Sequence, residues 1–444
     1  MIKLNKVFTE KVFSFPRGGI TFEDDSVPPR TSSVTAFLPS LSIIPMNQHS
    51  GTPANPIVSV GQTVKEGMLI GRSKGSGTAN IHSSIPGRVI RIVSWESSGG
   101  KVNDGIAILM EGSFEKLGKK EEVFPWENML PHDIQRTIAE FGVVEMDGEA
   151  RPVSEIISSF RSIKEPVTLV VRCVFDDPWL VADYVLCKER AAAVVEGAIM
   201  TARSCKLNRI IYAISHGEKE LGDIFLEIAQ KWGIPASVVL VGSRYPQRNK
   251  RELELVLRNY AKKAGINLGP LFILGPATLA AVYDAVKKQK PVLERYVAVG
   301  GSAIKLQQVM KVRIGTRIRD LFAECGGFKG TAPKKIATGS PFLGQLVSNL
   351  DEPVIKTSFA FFAIFEEIRR NNTNNCISCG ECRSVCPVGL DPEDVYKRIL
   401  ISGNENSLRI NDSCHGCGCC EVVCPSRLPL STVISSVGFG GHDA

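Results

Sequence analysis

Hydrophobic and polar positions change period several times along this chain of 444 residues. Over residues 37–110 the apolar positions come in short runs cut by glycine and proline, the texture of short β-strands joined by tight turns. Over 131–290 the texture changes. Residues 167–173, 209–214 and 236–241 are apolar runs of buried-strand length, rich in valine and isoleucine. Between them, 182–204 and 218–232 repeat their apolar positions at helical spacing. That alternation predicts an α/β unit with a mostly parallel sheet. A smaller α+β module follows at 294–344, with a strand at 295–299 and a helix at 318–325 that stops at Gly326-Gly327. An amphipathic stretch, 358–370, leads into a C-terminal unit. There Asp391 caps a helix, Pro392 occupies its first turn, and Glu393 and Asp394 face its positive end. The chain thus divides into an N-terminal β region (1–120), an α/β domain (131–290), a small module (294–345) and a C-terminal domain (358–435).

Size agrees with this division, because one hydrophobic core does not extend over so long a chain. With 43% hydrophobic and 22% charged residues the composition is that of a globular protein. The apolar runs at 167–171, 236–241 and 359–365 fall far short of the ~20 residues a membrane helix needs. Residues 1–8 lack the apolar centre of a secretory signal, so the expected location is cytoplasmic, or on a membrane through other subunits. The net charge of +7 is spread along the chain, and no helix-turn-helix, finger or aromatic–basic stripe accompanies it. Nucleic acid is therefore not an expected partner.

The cysteines decide the chemistry. Cys376-Ile-Ser-Cys379-Gly-Glu-Cys382-Arg-Ser-Val-Cys386-Pro387 and Cys414-His-Gly-Cys417-Gly-Cys419-Cys420-Glu-Val-Val-Cys424-Pro425 both read C-x2-C-x2-C-x3-C-P. This is the spacing of bacterial ferredoxins with two [4Fe–4S] clusters, in which the fourth cysteine of each run ligates the other cube. It gives Cys376, Cys379, Cys382 and Cys424 to one cluster, and Cys414, Cys417, Cys420 and Cys386 to its neighbour. A zinc ribbon would pair its cysteines two and two across a long spacer, and disulfides would need an oxidising compartment. Cys419 is left over, with a swap for Cys420 open. Cys173, Cys187, Cys205 and Cys325 stand singly and read as small buried hydrophobes.

Val58-x-x-Gly61-x-x-Val64-x-x-Gly67-x-x-Ile70-Gly71, followed by His82-x-x-x-x-Gly87-x-Val89, resembles the barrel-sandwich fold of biotinyl and lipoyl carrier domains. The hairpin tip is expected at Thr78-Ala79-Asn80, without the carrier lysine, so the domain reads as structural. His49 and His82 read as packing and turn residues.

Phe15-Pro-Arg-Gly-Gly-Ile20, Gln48-His-Ser-Gly-Thr-Pro-Ala-Asn-Pro56, Gly315-Thr-Arg-Ile-Arg-Asp-Leu321, Cys325-Gly-Gly and the two cysteine runs occur in one order. In that order they resemble the C subunit of the Rnf-type ion-translocating electron-transport complex, across nearly the whole chain. Propanediol-pathway cobalamin reductases share much of the layout. The resemblance implies a multidomain α/β protein: an N-terminal barrel-sandwich, an α/β domain like the flavoprotein subunit of respiratory complex I, a β-grasp module and a two-cluster ferredoxin-like domain. It implies an electron-transfer subunit of an oxidoreductase, peripheral on the cytoplasmic side of the inner membrane. Its partners would be membrane-embedded and flavin- or iron–sulfur-bearing subunits, and a soluble donor or acceptor linked in the family to NAD(H) and ferredoxin.

The family's central domain takes a hydride through FMN, on a glycine-rich loop whose backbone approaches phosphate. The matching stretch here is Gly142-Val-Val-Glu145-Met-Asp147-Gly148-Glu149-Ala-Arg151-Pro152. Acids replace two glycines and an alanine and are expected to repel a phosphate; Gly142, Gly148 and Pro152 remain and read as loop geometry. Two further segments lose family residues: Arg172-Cys-Val-Phe175-Asp-Asp-Pro178 loses its first acid, and Tyr245-Pro-Gln-Arg248-Asn-Lys250 a glycine and an acid. FMN is therefore not expected as a cofactor, and an NADH dehydrogenase activity of the chain alone stays open. Two other readings compete: a flavin-dependent reductase of the cobalamin-reductase kind, and a scaffold whose clusters only fold the C-terminal domain.

Overall fold

The computed structural model describes residues 11–23, 25–96, 102–112, 123–340, 343–365, 373–402 and 414–438. Residues 1–8 and the end of the 358–370 stretch lie outside these segments.

After β1 (Ser33–Thr35), the N-terminal region folds as two small antiparallel sheets. Its strands are β2 (Leu41–Pro45), β3 (Asn55–Pro56), β4 (Thr63–Val64), β5 (Leu69–Arg72), β6 (Ile81–His82), β7 (Gly87–Glu96) and β8 (Val102–Met110). The sheets run in the orders β2-β8-β7-β4 and β3-β5-β6 and close over Ile44, Met46, Ile70, Ile81, Ile85, Ile106 and Ile108. The turn between β5 and β6 centres on exposed Lys74-Gly75, while the expected tip residues Thr78 and Ala79 are buried at its base. The loop does not swing free. The Gly77 amide donates to both oxygens of Glu155 at 2.8 and 3.0 Å, fastening it to the central domain.

The central domain begins with α1 (Pro131–Glu140) and α2 (Val153–Arg161). It continues through β9 (Thr168–Cys173), α3 (Val181–Glu189), α4 (Ala191–Cys205), β10 (Ile210–Ser215), α5 (Lys219–Gln230), β11 (Ala236–Val241), α6 (Lys250–Ala264), β12 (Leu271–Leu274) and α7 (Pro276–Lys287). The strands form an all-parallel sheet in the order β11-β10-β9-β12. Leu169, Val171, Tyr212, Ile214 and Leu240 pack with α1–α5 and α7 on one face. Val170, Ile211, Ala213, Val239 and Val241 meet Leu253, Val256, Leu257 and Tyr260 of α6 on the other. From β9 the chain winds outward through β10 to β11, then α6 returns it to β12 on the far side of β9. The sheet therefore reverses its winding between β9 and β12, and the crevice beyond the carboxyl ends of those two strands is where such sheets bind ligands. Where sequence periodicity gives one helix at 182–204, the structure breaks it at Arg190, whose guanidinium grips Asp284 at 2.9 and 2.6 Å.

The third unit is a six-stranded sheet, in the order β1-β14-β13-β17-β15-β16, covered by α8 (Ile318–Glu324). Here β13 is Glu294–Gly300, β14 Gln308–Arg313, β15 Lys335–Thr338, β16 Gln345–Leu346 and β17 Ala360–Ile364. Two strands arrive from outside the 294–345 module. β1 pairs with β14, and β17, expected at the head of the C-terminal domain, lies between β13 and β15. The apolar run 359–365 finds its partners far back in the chain, so its strand character is settled by pairing rather than by local pattern. The last unit holds the short helices α9 (Glu381–Ser384) and α11 (Cys419–Val422), each followed by a longer one, α10 (Pro392–Ser402) and α12 (Leu430–Gly438). Val395, Leu428, Leu430 and Ile434 form its core.

Candidate metal centres and a filled crevice

Two cavities flank the core of the C-terminal unit. The first is lined by Cys376, Cys379, Cys382 and Cys424, with Tyr396, Leu428 and Leu430. The second is lined by Cys386, Cys414, Cys417 and Cys420, together with the fully buried Cys419. Each cavity thus draws three cysteines from one run and its fourth from the other. The repeat explains how. In each run the residue before the short helix is a glycine with positive φ, Gly380 at 78° and Gly418 at 81°, which lets the chain turn sharply between ligand loop and helix. That short helix then carries the fourth cysteine across to the other cavity.

The sulfurs meet backbone amides. Leu390 N–H donates to Cys386 Sγ at 3.3 Å, and Leu428 N–H donates to Cys424 Sγ at 3.5 Å, the same four-residue step in both repeats. Ser378 N–H donates to Cys376 Sγ at 3.4 Å. A thiol hydrogen bond from Cys419 is the largest influence on Cys417, holding it down at about 5. The same bond pushes the Cys419 thiol far up. Four thiols around a cavity, with amides aimed at the sulfurs, fit an iron–sulfur cube.

The second cavity faces the central domain. Tyr245 Oη donates to the Cys417 carbonyl at 2.8 Å, and the Gly19 amide donates to the Val385 carbonyl at 2.8 Å. Gly18 lies so close to Cys386 that a Cβ there would sit 2.6 Å from its carbonyl carbon. The first cavity has Cys379 exposed to solvent.

The crevice between β9 and β12 holds the loop that was expected to be glycine-rich. The loop is closed on itself: Val144 bridges Pro152, and the Glu145 amide donates to the Arg151 carbonyl at 2.8 Å. Gly142 (φ 64°) fits only as glycine, since a Cβ would lie 2.1 Å from the Asn80 carbonyl oxygen. Gly148 faces the Glu145 carboxylate, which a Cβ would meet at 2.4 Å, and Pro152 leads into α2.

Asp147 points inward from this loop and is almost wholly buried. Arg172 Nη2 meets its Oδ2 at 2.7 Å and Arg248 Nη2 meets the same oxygen at 3.1 Å. Burial alone would raise the Asp147 carboxyl, but the two guanidinium groups outweigh it and hold it at about 2. Asp147 is thus charge-paired inside the fold rather than standing in the loop as a free negative charge. Phe175 is buried edge-on against Tyr184, and Lys250 opens α6. Beside them burial lifts Asp176 to about 7, although the Arg248 amide donates to it at 2.7 Å.

A curated relative, the C subunit of an ion-translocating oxidoreductase complex of Rhodobacter capsulatus, is 30% identical over 85% of this chain and 73% of its own length. This chain belongs to that C-subunit family. The C subunit of the proton-translocating ferredoxin:NAD(+) oxidoreductase complex of Clostridium ljungdahlii is 29% identical over 85% of this chain and 82% of its own. Its counterpart in the Na(+)-translocating complex of Acetobacterium woodii is 25% identical over 84% and 86%. Family patterns match in domain order: an RnfC barrel sandwich hybrid domain at 14–113, a Nuo51 FMN-binding domain at 138–269 and a 4Fe-4S dicluster domain at 368–426. The protein is accordingly an iron–sulfur electron-transport subunit with two [4Fe–4S] clusters. Among the described residues no helix is long and apolar enough to cross a membrane.

The residues in the crevice do not fit a flavin phosphate. Side chains and an internal ion pair stand where bare backbone amides are needed. Sequence reasoning singled out Asp147 but missed its partners. A signal was present, because Arg172 and Arg248 stand in the two other segments that depart from the family.

Proposed function

We propose that this protein relays electrons as a peripheral member of a membrane-bound ion-translocating oxidoreductase, on the cytoplasmic side of the cell membrane. Cys376, Cys379, Cys382 and Cys424 would hold one [4Fe–4S] cluster, and Cys414, Cys417, Cys420 and Cys386 the other. When bound, such clusters supply reversible one-electron transfer. The chain's own contribution is positioning and tuning. Amides of Ser378, Leu390 and Leu428 donate to sulfur, which favours the more negative, reduced state. Tyr245 and the 18–19 backbone brace the inner cavity against the central domain, and exposed Cys379 leaves the outer one open towards a partner. Partners would be the membrane-embedded and flavin- or iron–sulfur-bearing subunits of the complex, with a soluble ferredoxin- or NAD-linked donor or acceptor, as the relatives' names indicate.

The observation that carries this reading is the pair of cavities, each lined by three cysteines of one run and the fourth of the other. The test is anaerobic purification from native membranes, followed by a redox titration monitored by paramagnetic resonance. Two reversible, magnetically coupled centres that co-purify with integral membrane subunits are expected. Stoichiometric zinc, or clusters that cannot be reduced reversibly, would overturn it.

A further inference from the structure

We infer that the crevice at the β9/β12 reversal is a phosphate-class anion site that the chain fills with its own Asp147 carboxylate. Four independent features converge on that carboxylate. The place is the end of the parallel sheet where the winding reverses, between Arg172 at the close of β9 and Gly275 just after β12. Next, α7, twelve residues long, starts there, and its first turn presents the positive end of the helix. Gly275 gives the approach its closeness: a Cβ at that residue would sit 2.1 Å from Asp147 Oδ2, so any other side chain would evict the carboxylate. Arg172 and Arg248 then close on the oxygen from the remaining sides, at 2.7 and 3.1 Å.

The loop is pinned in this pose, since the Met146 amide donates to Thr278 Oγ1 in the first turn of α7 at 2.9 Å. Yet the pairing is incomplete on both sides, and Asp147 Oδ1 itself is buried without a hydrogen-bond partner among the described residues. Arg172 is more than nine-tenths buried, and its Nε has no hydrogen-bond partner among the described residues. Asp183, 3.6 Å from Arg248, and Arg295, which reaches Met146 Sδ at 3.1 Å, extend the same charged cluster. A phosphate monoester, with three acceptor oxygens and up to two charges, matches two guanidiniums and a helix start better than one carboxylate does. Asp147 thus plugs a site whose donors suit a larger anion. The inference concerns the central domain alone and does not depend on how the cysteines are used.

The test uses the full chain with its clusters. Asp147→Gly vacates the position, and thermal midpoints are compared in phosphate and in chloride at matched ionic strength. Wild type should show no difference. The variant should melt lower in chloride and recover in phosphate. It should bind FMN at least tenfold more tightly than riboflavin, since only FMN carries the phosphate. Adding Arg172→Gln to the variant should abolish the phosphate response. If Asp147→Gly does not fold in chloride, Asp147→Ser is carried through the same comparison. A folded variant indifferent to phosphate would overturn the inference. So would wild-type protein binding FMN or inorganic phosphate as tightly as the variant.

Discussion

Lys356 is buried where the barrel-sandwich, the central loop and the six-stranded sheet unit meet. Its Nζ donates to the Gly142 carbonyl at 2.7 Å and to the Asn80 carbonyl at 3.0 Å. Burial pushes its ammonium from the ordinary 10.5 down to about 7. At about 1.4 kcal/mol per pH unit, charging this lysine in the fold costs roughly 5 kcal/mol relative to the unfolded chain. The unfolded chain therefore binds the extra proton between about pH 7 and 10.5. Stability from the neutral amine is complete above 10.5, declines as pH falls, and is gone below about 7. Lys356→Met keeps the length and removes both charge and donors. Each orphaned carbonyl costs about 1–3 kcal/mol. At pH 6.5 that loss is offset by relief from the buried charge, so the variant should be nearly as stable as wild type. At pH 9.5 the relief has mostly gone, and the variant should be weaker by about 2–5 kcal/mol. Urea midpoints at pH 6.5, 8 and 9.5 give the comparison. Hydrogen exchange of peptides covering 78–82 and 140–144 reads the same junction should unfolding not be two-state. A difference between variant and wild type that stays constant from pH 6.5 to 9.5 would refute the reasoning.

Three other outcomes are expected. Anaerobic protein should contain about eight irons and eight sulfides, and Cys386→Ser should deplete the centre next to Cys414, Cys417 and Cys420 while sparing the other; resonance spectra of the variant would show which centre is lost. Asp176 binds its proton more tightly in the fold, so its contribution is complete below the ordinary 3.8 and lost as pH rises through about 7. Asp176→Asn should therefore stabilise the protein more at pH 8 than at pH 5, by an amount on the order of a few kcal/mol read from urea midpoints. Lys74, at the turn of the β5/β6 hairpin, should carry neither biotin nor lipoate by intact-peptide mass spectrometry, because its loop is tied to Glu155.

What the sequence disclosed depended on the range of the interaction. The cysteine runs and the strands at 168–173, 210–215 and 236–241 were legible because their signals are local: fixed ligand spacing and unbroken burial. Helix α6 carries Leu253, Val256, Leu257 and Tyr260 at helical spacing, but its charged outer face weakens the pattern. β17 and the break at Arg190 were not legible, since each is decided by a partner distant in sequence: β13 for the strand, Asp284 for the arginine. In the crevice the residue types were visible while their pairing was not. Glu145, Asp147 and Glu149 look alike as letters, yet only Asp147 lies within reach of both arginines.

The segment 13–20 bridges across the fold. Phe13 pairs with Val241, the Phe15 amide reaches Gln247 across 232 residues at 3.4 Å, and Gly19 touches Val385. During synthesis this strap emerges before residues 241, 247 and 385, and has no partner until they have followed. It is therefore a contact that closes late during synthesis. A bulky fusion placed directly ahead of residue 13 would interfere with this late step, and should leave a molecule whose domains are folded but not clasped to one another.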